Sequence, residues 1–69
     1  MQEIRITVNG EPQEVEPGTT VAALIERLGL AGQPCAAEVN KALVPKRDHP
    51  SRELAEGDTV ELVTLVGGG

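Results

Sequence analysis

Conventional nucleophiles and bases are scarce in this sequence. Cys35 is its single cysteine, His49 its single histidine and Ser51 its single serine. His49 lies between Asp48 and Pro50 in a polar stretch and reads as a loop histidine, so a nucleophile with a positioned base and an orienting third group is hard to assemble. Cys35 follows Pro34 just ahead of an apolar segment. It could serve as a nucleophile or a sulfur acceptor, but free cysteine commonly packs as a small hydrophobe, and that is the expected role. One cysteine and one histidine cannot supply the ligand cluster of a structural zinc site, so no metal is expected. The many carboxylates are scattered over turns and solvent faces and read as surface charge. A phosphate-binding Gly-x-x-x-x-Gly-Lys loop does not occur.

The end of the chain offers different chemistry. An apolar run, residues 59–66, leads directly into Gly67, Gly68 and Gly69. Glycine has no Cβ, so such a tail can enter a slot too narrow for other residues and keeps the last carboxylate unhindered. A carboxylate is a poor acyl donor. Adenylation by a partner enzyme would turn it into a mixed anhydride that a sulfur nucleophile can attack. The alternative is an ordinary frayed chain end.

Positioning that tail is the task of the elements before it. Ile4, Ile6 and Val8 alternate with Glu3, Arg5 and Thr7, the pattern of a strand with one buried face. Asn9-Gly10 is a favoured pair for a two-residue hairpin turn, and residues 11–15 form the returning strand. After Pro17-Gly18, Thr19 or Thr20 can cap a helix. Val21, Leu24, Ile25 and Leu28 then fall on one stripe, and Gly29 supplies the stop, which predicts a helix over residues 20–28. Residues 36–40 and 42–44 read as short strands about an Asn40-Lys41 turn, and residues 46–52 as an irregular loop or a single helical turn. Glu56-Gly57-Asp58 is a turn. The nearly continuous apolarity of residues 59–66 suggests a central strand, buried from both sides or covered by a partner. Ile4, Ile6, Val21, Leu24, Ile25, Leu28, Val60 and Leu62 are the expected core. Val63 and Leu65 are expected on the opposite sheet face as part of a partner-docking patch, the alternative being a second minor core beneath the 46–52 loop.

The order of hairpin, helix, strands and long final strand suits an α+β fold, a mixed four- or five-stranded sheet with one main helix packed on one face. With 69 residues, one domain is expected, and about 60% of the unfolded chain's surface can be buried. Phe, Tyr and Trp are absent and no disulfide can form, so the core must be aliphatic. The net charge of −5 and the lack of aromatics argue against nucleic acid, which needs clustered cations and stacking platforms. No apolar run approaches the ~20 residues of a membrane helix. Residues 2–8 contain no apolar h-region of a secretory signal, and an unpaired cysteine fits a reducing compartment, so a cytoplasmic location is expected.

Over its full length the chain resembles the β-grasp sulfur carriers, and most closely the ThiS family of thiamine biosynthesis. The resemblance rests on the opening strand with its Asn9-Gly10 turn, the helix beginning near Thr20-Val21, the segment Glu38-Val39-Asn40-Lys41-Ala42-Leu43-Val44-Pro45-Lys46-Arg47, and the run Glu56-Gly57-Asp58-Thr59-Val60-Glu61-Leu62-Val63 followed by Val66-Gly67-Gly68-Gly69. It implies a ubiquitin-like β-grasp domain over residues 1–66 with a flexible glycine tail over 67–69. It also implies a carrier rather than an enzyme. An E1-like adenylating enzyme (ThiF-like) would adenylate Gly69 with ATP, sulfur from a cysteine desulfurase would convert it to a thiocarboxylate, and a thiazole synthase (ThiG-like) would take that sulfur to form the thiazole of thiamine. Gly67 and Gly68 would give the tail access to those partners. No bound cofactor is implied. Within the same class, the small subunit of molybdopterin synthase (MoaD-like) shares the fold and the Gly-Gly end. A ubiquitin-like interaction module outside sulfur chemistry is the reading from another class.

Overall fold

The computed structural model describes residues 2–65. Five strands and one α-helix follow in the order β1 (Ile4–Val8), β2 (Glu11–Val15), α1 (Val21–Arg27), β3 (Cys35–Val39), β4 (Ala42–Val44) and β5 (Thr59–Thr64), with a 3-10 turn at Lys46–Asp48 between β4 and β5. They form one mixed sheet of order β2-β1-β5-β3-β4, in which β1 and β5 run parallel and every other pair is antiparallel.

The two hairpins rest on left-handed turn residues. Asn9 and Gly10 have φ of 50° and 85°, the signs a tight type I′ turn requires. Asn40 and Lys41, at 53° and 71°, make the β3–β4 turn in the same way. The helix is short and defined at both ends. Thr20 Oγ1 accepts from the Ala23 N–H at 3.1 Å. At the other end the Gly29 N–H donates to Glu26 O and the Leu30 N–H to Ile25 O, each at 3.0 Å, a Schellman closure made by Gly29 at φ 77°. Residues 46–54 fold back over the helix start. Arg52 O and His49 O accept from the Val21 and Ala22 N–H groups, both at 2.9 Å, so the first helical donors are satisfied within the chain.

One aliphatic core lies between α1 and the inner sheet face. Val21, Leu24 and Ile25 of the helix meet Ile6 and Val8 of β1, Val15, Ala37, Val39, Val44, Leu54, Val60 and Leu62. Ile4 and Leu28, expected in this core, are only partly buried against it, one at the start of its strand and the other at the helix C-cap. β5 is central, as its apolarity suggests, but it is not buried from both sides. Its residues alternate strictly, with Val60 and Leu62 inward and Thr59, Glu61 and Val63 outward, because the single helix covers one face. The strand ends at Thr64, and Val66, expected within it, lies outside the described residues. His49 corrects the surface reading of the loop histidine. The fold-back of residues 46–54 leaves it 7% exposed, with Nε2 3.1 Å from Val44 O.

Candidate functional site

β5 is held from both flanks. After β1 ends at Val8, the Asn9 side chain continues the pairing as a strand would. Its Oδ1 accepts from the Leu62 N–H at 2.8 Å, and its Nδ2 donates to Leu62 O at 3.2 Å. On the other flank Asn40 Oδ1 accepts from the Thr59 N–H at 2.9 Å, and Asn40 Nδ2 donates to Asp58 Oδ1 at 3.0 Å. Asp58 is buried and also accepts from the Ala55 N–H through Oδ2 at 2.8 Å. These bonds fix the start and middle of the strand. Beyond its end, the Leu65 N–H donates to Pro34 O at 2.9 Å, extending the β3–β5 pairing by one step. Backbone pairing therefore holds the chain as far as Leu65.

The outer sheet face carries the expected patch in part. Val63 is 57% exposed and Leu65 54% exposed, so neither belongs to a second core beneath the 46–52 loop. Leu43, which the sequence reading did not single out, is 67% exposed. Register places Ala36 beside Val63 and Glu38 between Glu61 and Leu43 on this face. Glu38 and Glu61 thus stand directly opposite one another across an antiparallel pair, an arrangement that lowers sheet stability. Arg5–Glu14, at 3.2 Å, is the one salt bridge among the described residues, so neither glutamate is neutralised by a pair of its own. An alternation count could have placed Glu38, Glu61 and Val63 on one face, but the register that sets the two glutamates opposite each other was not legible.

No group of three or more metal-ligating side chains occurs among the described residues. Cys35 and His49, far apart in the sequence, line one cleft with Ala22, Ile25, Glu26, Ala31, Gln33 and Lys46. Cys35 is half-buried, and burial pushes its thiol up from the ordinary cysteine value. Gly67, Gly68 and Gly69 lie outside the described residues. No helix of the described residues is long and apolar enough to cross a membrane.

A five-stranded mixed sheet with one helix across a single face is the ubiquitin-like β-grasp architecture. The structure is similar to that of the thiamine biosynthesis protein ThiS from Geobacter metallireducens, with a TM-score of 0.79 and 28% identity, covering 96% of this chain and all of that one. In sequence, the family model of the ThiS family matches residues 6–69. The sulfur carrier protein ThiS of Thermus thermophilus is 34% identical over 64 residues, which are 93% of this chain and 98% of that one. A thiazole synthase of Magnetococcus marinus is 41% identical over 66 residues, 96% of this chain. This chain spans only a fifth of the length of that thiazole synthase. The chain belongs to the ThiS family.

Proposed function

We propose that this chain carries sulfur as a thiocarboxylate on Gly69 and delivers it for thiazole formation in thiamine biosynthesis. The observation that carries the reading is the family match, which spans residues 6–69 and so takes in the three glycines. Thiazole as the destination is supported by the thiazole synthase that holds a similar segment within a longer chain, since a carrier and its acceptor enzyme are natural fusion partners.

The chemistry then divides between the carrier and its partners. An adenylating enzyme supplies ATP and joins AMP to the Gly69 carboxylate, releasing pyrophosphate. Persulfide sulfur from a cysteine desulfurase attacks the acyl adenylate, expelling AMP and forming an acyl disulfide. A second thiol then reduces that S–S bond, itself ending in a disulfide, to leave the thiocarboxylate. A thiazole synthase accepts the sulfur. The carrier contributes reach and presentation and holds no cofactor. Three glycines span about 10 Å when extended, and none carries a Cβ that would obstruct a narrow channel. Val63 and Leu65, with Leu43 and the facing glutamates Glu38 and Glu61, serve as the docking surface for the adenylating enzyme. ATP and reducing thiols are cytoplasmic, which is where this reading places the chain.

The test is intact-mass measurement after incubation with the adenylating enzyme, ATP, a cysteine desulfurase and cysteine, using Cys35→Ser so that no thiol competes. The expected result is replacement of one oxygen by sulfur, localised to Gly69, and none in a chain lacking Gly69. A Cys35→Ser chain left unmodified by an adenylating enzyme that thiolates another ThiS carrier would refute the reading.

A further inference from the structure

Residues 46–52 reverse the charge of the molecule. Lys46, Arg47 and Arg52 stand there against Asp48, a net +2 in a chain of −5, and they are three of its six Lys and Arg residues. All three are exposed. None is in an ion pair, since Arg5–Glu14 is the one salt bridge among the described residues. The segment is exposed but not loosely held. The Asp48 N–H donates to Pro45 O at 2.8 Å, the His49 N–H to Lys46 O at 3.1 Å and the Arg52 N–H to Asp48 O at 2.9 Å. The buried His49 ring, with Nε2 3.1 Å from Val44 O, anchors its middle. A backbone already fixed loses little freedom when a partner binds. Arg52 O and His49 O also take up the Val21 and Ala22 N–H groups at the helix start. A small anion would therefore find no free helical donors here, and the surface suits a macromolecular partner bearing carboxylates.

We propose that residues 46–52 dock the sulfur donor, a cysteine desulfurase, through a carboxylate-lined surface of that partner. The choice of a sulfur donor rests on the sulfur-carrier reading. An acyl adenylate hydrolyses in water, so the activated chain has to stay in the adenylating enzyme until sulfur arrives. The outer sheet face, with Val63, Leu43, Glu38 and Glu61, is then covered. The donor has to meet a surface that stays open, and residues 46–52 fold over the helix start on the opposite side of the sheet. They also lie at the end of the sheet where the chemistry takes place. Lys46 lines a cleft with Cys35, and Cys35 pairs with Thr64 at the end of β5, five residues before Gly69. Beside Lys46 the same cleft adds apolar contact area through Ala22, Ile25 and Ala31, and Glu26 is the one carboxylate among its lining residues. The carrier thus offers two surfaces of opposite charge, an acidic one to the enzyme that activates it and a basic one to the donor that follows.

The experiment uses the full 69-residue chain with its adenylating enzyme, ATP, cysteine and a limiting amount of cysteine desulfurase. Pyrophosphate release reports adenylation, and intact mass reports sulfur arriving at Gly69. The test variant is the triple Lys46→Gln, Arg47→Gln, Arg52→Gln. The control is the triple Arg5→Gln, Arg27→Gln, Lys41→Gln, which removes the other three cations and reaches the same net charge. In the test variant adenylation runs at the wild-type rate, while sulfur arrival per desulfurase falls at least about tenfold at low ionic strength, the lower end of what electrostatic steering supplies. The difference from wild type closes as salt is added. The control keeps wild-type sulfur arrival. If the test variant is not folded by circular dichroism, the double Lys46→Gln, Arg47→Gln decides the matter. Wild-type sulfur arrival in the folded variant, an equal loss in the control, or a parallel loss of adenylation overturns the proposal and leaves the carrier reading standing, because wild type is still thiolated at Gly69. A wild-type chain that is never thiolated overturns the carrier reading, and this proposal with it.

Discussion

Asn9 shows how one residue can act at two ranges. Its backbone, at φ 50°, makes the first hairpin turn, and its side-chain amide pairs with both backbone groups of Leu62. Asn9→Gly keeps the turn and removes the amide; the Leu62 groups then lose their partners in a part-buried site. The expected loss is about 1–3 kcal/mol, read from urea denaturation of Asn9→Gly against wild type, with the hairpin preserved in amide chemical shifts. A loss below a few tenths of a kcal/mol would show that β5 does not depend on this amide. The turn was legible because Asn-Gly is a local signal. The bond to Leu62 spans 53 positions and has no local signature. His49 was misread for the same reason. Its neighbours Asp48 and Pro50 are exposed, and only the return of the 46–54 segment over the helix start seals the ring against Val44 O.

The helix is the element on which the inner face depends. Seven residues are too few to hold a helix in water by propensity alone, so α1 is stable chiefly through packing of its Val21, Leu24 and Ile25 stripe. Leu24 is fully buried. Leu24→Ala is expected to lower stability by about 2–5 kcal/mol through lost burial and the cavity left behind. That is a large part of what a small domain has, and thermal unfolding followed by circular dichroism would measure it. A melting curve unchanged from wild type would contradict that packing. This stripe was legible from its 3, 4 and 7 spacing, as were the cap Thr20 and the stop at Gly29, because each is a pattern within one element. β3 was harder. It begins at Cys35, one residue before the expected start, because its pairing with β5 extends to Thr64 and brings Cys35 into the ladder. Pairing of that kind is set by the partner strand and cannot be read from the segment itself.

At the scale of the whole molecule, a sheet with one helix has one face left over. On that face Glu38 and Glu61 oppose each other, with Val63 and Leu43 exposed nearby. Folding alone would favour removing one of the charges. Glu61→Gln is therefore expected to raise stability by about 0.2–1 kcal/mol, the usual scale of a cross-strand pair. If the face docks an activating enzyme through cationic groups, the same substitution must weaken that association, and chiefly its rate constant at low ionic strength. Val63→Asp should act on the apolar part of the same surface, weakening activation while the circular dichroism spectrum remains that of wild type, since its side chain has no place in the core. The two effects of Glu61→Gln have opposite signs, which separates a docking surface from a merely tolerated one. Stabilisation with unchanged adenylation kinetics would assign the facing glutamates to neither folding nor docking. Loss of the fold in Val63→Asp would place Val63 in the structure rather than at the interface. Both measurements need only the chain, its adenylating enzyme and ATP, and neither requires that sulfur reach Gly69.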